Sequence, residues 1–166
     1  MLFSSIIFLC LFLPAVLALY YVPFFMGRSY RNIVLLLASL FFYAWGEPLY
    51  VSLLIASIVF NWAIGLSAHG RRGGLAVGIG VAFNIGMLIV FKYADFLLAN
   101  ANAVFHTEMA LTGLPLPIGI SFYTFQAISY IVDVKRGKAK AKKNPLEIGL
   151  YISLFPQLIA GPIVRY

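Results

Sequence analysis

The sequence predicts an all-α fold, a polytopic bundle of five to six transmembrane helices with the N-terminus outside. Three observations carry this. First, 63% of the 166 residues are hydrophobic and 10% are charged, with a mean hydropathy of +0.97. Soluble domains run about 45–50% apolar and 25% charged, and a soluble chain this apolar lacks the polar groups to cover its surface. Second, apolar runs recur at the length a bilayer requires. Third, the basic residues gather in alternate loops.

The first run, Phe3 to Met26, carries no charge before Arg28. At about 1.5 Å per residue it reaches across a core of about 30 Å. Val16-Leu17-Ala18 imitates a signal-peptide cleavage site, but Met1-Leu2-Phe3-Ser4-Ser5 has no basic start and the run continues past Ala18, so an uncleaved span is expected. Pro14 is a candidate kink. A polar link, Gly27 to Asn32, leads to a short second helix, Ile33 to Trp45. Gly46-Glu47-Pro48 breaks the chain, with Pro48 suited to open the third helix, Leu49 to Leu66. After the basic loop His69 to Gly74, the fourth helix covers Leu75 to Phe91. Lys92 to Leu116 is less apolar and reads as an interfacial helix, Tyr93 to about Phe105, followed by a loop. The fifth segment is Ile118 to Val134, leaving open whether it crosses fully or dips and returns. Pro145 opens the last segment, which runs to about Ala160 before Gly161-Pro162.

Counting each segment as one crossing puts Arg28, Arg31, Arg71, Arg72 and the run Lys135 to Lys143 on one side. Lys92 and Arg165 fall on the other. The positive-inside rule makes the lysine-rich side cytoplasmic. The net charge of +7 fits the same rule and anionic lipid head groups, so no nucleic-acid partner is expected. No basic stretch is interleaved with the aromatics that base stacking needs. Tyr20, Tyr21, Tyr43, Trp45, Tyr50, Trp62 and Tyr93 cluster near segment ends and read as an interfacial belt.

Polar residues inside membrane segments are the place to look for chemistry, because each is costly unless paired or hydrated. Gln126, Ser129 and Asp133 are spaced by three and four and share one face of the fifth segment. They could line a wet path or tunnel, or hydrogen-bond between helices. Asp133 could also pair with Arg136. Asn61 and Asn84 read as helix-packing residues, and Glu47 as a solvated turn carboxylate. His69 and His106 lie in loops without a partner to position a general base. One cysteine, Cys10, and two distant histidines supply no metal site, and no bound cofactor is expected.

The stretch Leu114 to Gly137, with Leu-Pro-Leu-Pro-Ile-Gly-Ile-Ser-Phe-Tyr-Thr-Phe-Gln-Ala-Ile-Ser-Tyr at its front, resembles a hallmark of the membrane-bound O-acyltransferases. Tyr30-Arg31-Asn32, Phe42-Tyr43-Ala44-Trp45, Phe91-Lys92-Tyr93-Ala94 and the stretch Phe155 to Tyr166 are similar to the branch with the alginate O-acetyltransferase membrane subunit. The resemblance covers residues 1–166 in order. It implies transfer of an acyl group, often acetyl, from an unspecified donor on the cytoplasmic side to hydroxyls of an extracytoplasmic polysaccharide. It also implies a bacterial inner-membrane location and periplasmic or extracellular partner proteins. The family's catalytic histidine lies in a later segment, so it is expected beyond Tyr166, and the chain reads as the N-terminal part of one domain, inactive alone. Two other readings stay open: a small transporter or scaffold, suited to the broken segments around Gly46-Glu47-Pro48 and Pro115-Leu116-Pro117, and, within the family, D-alanyl transfer to teichoic acid.

Overall fold

In a computed structural model, which describes residues 5–22, 27–70 and 73–160, helices follow one another with no strand among the described residues. A π-helical turn, Phe8–Phe12, leads into α1, Leu13–Tyr21. Pro14 has no N–H for the carbonyl four residues back. The turn before it takes wider hydrogen bonds, and the helix continues without a break. The ends of the expected span Phe3 to Met26, the arginines Arg71 and Arg72, and the Gly161-Pro162 motif with Arg165 lie outside the described residues.

Helix α2 runs Arg28–Gly46, so it absorbs most of the stretch expected to be a polar link. Thirteen mostly apolar residues, Ile33 to Trp45, are short for a crossing, and the helix lengthens at its start, where long basic side chains can keep their charge in water. The Arg31 guanidinium lies over the Tyr20 ring, 5.5 Å from its centroid. Helix α3, Tyr50–Ser67, matches its expected range within a residue. Helix α4, Gly73–Leu88, does not end at Phe91 as expected. It passes through a π turn, Ile89–Tyr93, straight into α5, Ala94–Phe105. Lys92 does not break it, because a single lysine costs a helix nothing in propensity. Together Gly73–Phe105 is one helix of 33 residues. Among the described residues it and Tyr50–Ser67 are the two helices long and apolar enough to cross a membrane.

Helix α6 is Ile120–Lys135, and the last segment is split into α7, Pro145–Ser153, and α8, Phe155–Ala160. The split follows from Pro156, whose ring would clash with the carbonyl of Ile152 in a continuous helix. The backbone N–H of Phe155 donates instead to the Ser39 hydroxyl at 3.2 Å, and that hydroxyl donates to the Leu35 carbonyl. Asn144 caps α7 by accepting from the N–H of Leu146.

The helices pack around α6, which lies against α3, α4 and α7. Tyr123, Ala127, Tyr130, Ile131, Ile148 and Ile152 are fully buried at the centre. Close approach there depends on glycine. A Cβ on Gly65 would meet the Tyr130 ring at 2.5 Å, and one on Gly80 would meet Ile131 at 2.7 Å. A second cluster of Phe8, Phe12, Phe42 and Phe155 fastens the first helix to α2 and α8.

The ends of the bundle sort by charge. The start of α2, the end of α3, the end of α6 and the start of α7 meet at one end, where Arg28 and Lys142 line one cavity and the Lys135 ammonium donates to the Gly70 carbonyl. The lysine-rich segment is a strap across this end. Ala139 and Ala141 pack on the core, Trp62 donates to the Lys142 carbonyl at 3.1 Å, and Lys138, Lys140 and Lys143 face out. Lys142 pairs with Glu147 at 2.8 Å. At the other end the Tyr50 hydroxyl donates to the Pro115 carbonyl, and Gly119 sits against Leu158 with φ +75.

Candidate functional site on helix α6

The sequence of α6 places polar side chains on an otherwise apolar, buried helix. The structure separates the three candidates. Gln126 is buried, 1% exposed, and its side-chain amide donates to the Gln157 side-chain carbonyl at 3.2 Å. Ser129 and Asp133 lie half-buried along the margin of the same face, nearer the basic end. The stripe is therefore continuous in position but graded in depth. No ion pair joins Asp133 to Arg136 among the described residues. The Asp133 carbonyl instead closes the turn after α6, accepting from the N–H groups of Lys138 and Ala139.

Residues outside that stripe complete the site. Tyr43 on α2 and Tyr123 on α6 are both buried, and their hydroxyls face each other without a hydrogen bond of good geometry. The Thr124 hydroxyl and the Gln126 side-chain carbonyl also make no hydrogen bond to described residues. A buried polar group left unpaired costs about 1–3 kcal/mol, and four such groups without a partner among the described residues lie in the first two turns of α6 and on its neighbour α2. Gln157 follows the Pro156 break, and a lone glutamine in an apolar stretch was the one sequence signal for it. Tyr43 gave no such signal, because tyrosines near segment ends read as belt residues. Trp62 also leaves the belt, since its indole ties down the lysine strap.

Asn61 and Asn84 do what a packing role demands. Their side-chain amides pair across α3 and α4, at 2.7 and 3.3 Å, and each also donates to a carbonyl in its own helix. His69 and His106 are exposed, and His106 closes α5 in the left-handed region, φ 49. Glu47 sits half-buried at the end of α2. Among the described residues no group of three metal-ligating side chains comes together.

Long apolar helices, a polar seam and a basic end define an all-α membrane protein. The chain is 43% identical over its whole length to the protein named probable alginate O-acetylase in Pseudomonas aeruginosa and 44% identical to the one so named in Azotobacter vinelandii. It is 34% identical to the peptidoglycan O-acetyltransferase of Helicobacter pylori. It spans 33%, 34% and 37% of those relatives. No family model and no solved structure matches it. Over its whole length the chain is thus similar to about a third of proteins named as alginate O-acetylases and as a peptidoglycan O-acetyltransferase.

Proposed function

We propose that this chain is the N-terminal part of a single membrane O-acyltransferase domain that moves an acyl group, acetyl by the names of its relatives, to hydroxyls of an extracytoplasmic polysaccharide such as alginate. The observation that carries the reading is identity of 40–44% over the entire chain with proteins named for alginate acetylation. The peptidoglycan O-acetyltransferase relative supports a carbohydrate hydroxyl as the shared acceptor chemistry.

Acyl transfer to a hydroxyl needs a base to take the proton and a site that keeps water from intercepting the acyl group. The base is assigned to the family's histidine beyond Tyr166. The present residues supply one wall: Gln126, Gln157, Tyr123 and Tyr43 offer hydrogen bonds in an apolar interior, and Ser129 and Asp133 continue the polar edge toward the basic end. In this reading the protein is a multi-pass protein of the bacterial inner membrane, with the N-terminus outside and the lysine strap cytoplasmic. It works with periplasmic or extracellular partners of a polysaccharide acetylation system.

The test is genetic and chemical. Deleting the gene should strip O-acetyl esters from the secreted polysaccharide, and restoring the whole reading frame should return them. Restoring residues 1–166 alone should not. Unchanged ester content in the deletion strain overturns the assignment, and activity from residues 1–166 alone overturns the placement of the base.

A further inference from the structure

The break between α7 and α8 leaves one peptide group to be held from outside. Leu154 leaves the helical region, with φ −55 and ψ 115, and interrupts the ladder of helical hydrogen bonds there. The Phe155 N–H donates to the Ser39 hydroxyl at 3.2 Å, and that hydroxyl donates to the Leu35 carbonyl of its own helix at 2.7 Å. Ser39 is fully buried. Its hydroxyl thus spends its hydrogen on α2 and turns a lone pair to α8. The α8 turn is then closed by the Leu154 carbonyl, which accepts from the N–H groups of Gln157 and Leu158. At its far side the turn rests on Gly119, where a Cβ would meet the Leu158 carbonyl at 2.9 Å. In the sequence of α8, Phe155–Ala160, Gln157 is the one polar residue, and its side-chain carbonyl receives the Gln126 amide at 3.2 Å.

We infer that Ser39 is a positioning residue: it sets where α8 starts, and through Gln157 it fixes the Gln126 side chain in the acyl-transfer wall. The inference rests on the reading of Gln126 and Gln157 as part of that wall. Among the described residues Ser39 bonds to neither glutamine, so its effect passes through the backbone of α8. A helix this short does not hold its own place. Without the Ser39 hydroxyl the Phe155 N–H is stranded in an apolar interior, and the turn must shift or rotate to find it a partner. Either movement carries Gln157 with it. A side-chain hydrogen bond already at 3.2 Å is lost when its ends part by a few tenths of an ångström. The Gln126 amide is then free to turn, and misplaced groups near a reacting centre cost rate. Ser153 supplies the contrast. It is also fully buried, but its hydroxyl donates to the Gly149 carbonyl within α7 and serves no group of α8 among the described residues.

The test uses the protein expressed from its whole reading frame in a deletion strain, with acetyl esters on the secreted polysaccharide counted per unit of membrane-bound protein. Ser39→Ala should lower ester formation about tenfold. Ser39→Thr, which keeps the hydroxyl, should restore most of it, and Ser153→Ala should stay close to wild type. Gln157→Leu should match the loss of Ser39→Ala, and the double variant should lose no more than either alone, since both act through Gln126. Losses that multiply in the double variant, or a loss in Ser39→Ala no greater than in Ser153→Ala, overturn the inference. Full activity in Gln157→Leu overturns the reading of the wall and this inference with it. Ester content unchanged by deleting the gene overturns the acyl-transfer assignment on which both stand. If Ser39→Ala does not accumulate, Ser39→Cys carries the same comparisons, because a thiol is a weak acceptor in a similar volume.

Discussion

Asn61 and Gln126 are both buried amides inside the helix bundle, and their surroundings separate structure from candidate function. Asn61 is matched by Asn84, and both also reach a carbonyl in their own helix. Replacing Asn84 with alanine strands its partner and should cost about 1–3 kcal/mol in a detergent unfolding titration. Replacing both with leucine should cost less than the two single changes summed, since neither partner is then stranded. Among the described residues the Gln126 side-chain carbonyl oxygen has no hydrogen-bond partner, nor do the Tyr43, Tyr123 and Thr124 hydroxyls. For Gln126→Leu the expected pattern is the opposite: stability kept or raised, acyl transfer by the whole protein lost by tenfold or more. Folding stability measured beside ester formation separates the two. Equal loss of stability and activity would return Gln126 to a packing role.

At the scale of the element, the sequence showed each helix centre and misplaced several ends. The ranges of α3 and α6 were legible because Pro48 and the lysine run punctuate them. The start of α2 was not, because Arg28 to Asn32 look like a loop until a short apolar run must be lengthened. The continuity of α4 and α5 was hidden by Lys92, which lowers local hydropathy without interrupting helical hydrogen bonds. The split of α7 from α8 was written in Pro156, but the reward for it, the Phe155 N–H on Ser39, joins residues far apart in sequence. The α3–α6 contact makes a sharp prediction. Gly65→Ala puts a methyl against the fully buried Tyr130 ring and should destabilise by about 1–3 kcal/mol, read as a lowered midpoint in the same titration. Gly78→Ala, where a Cβ meets nothing within 4 Å, is the matched control and should be neutral or slightly stabilising.

Across the whole molecule, several basic groups share one end of the bundle. Of the basic residues that the sequence assigns to one side, Arg28 and Lys142 line one cavity and Lys135 reaches Gly70 at the same end. The helix centres were legible because hydropathy is a local property. The Tyr43–Tyr123 pair and the Gln126–Gln157 bond were not, because they depend on which helices become neighbours. A cysteine at Lys140, in a Cys10→Ser background, should react with an impermeant maleimide in inside-out vesicles and stay unreactive in intact cells. Labelling from outside would reverse the assigned orientation.

Acyl transfer itself is tested most directly by pulsing cells with radiolabelled acetate and counting label that mild alkali releases from the purified extracellular polysaccharide. The account predicts alkali-released label with the gene intact, near-background counts when it is deleted, and recovery on restoring the whole reading frame. Undiminished release from the deletion strain would contradict it.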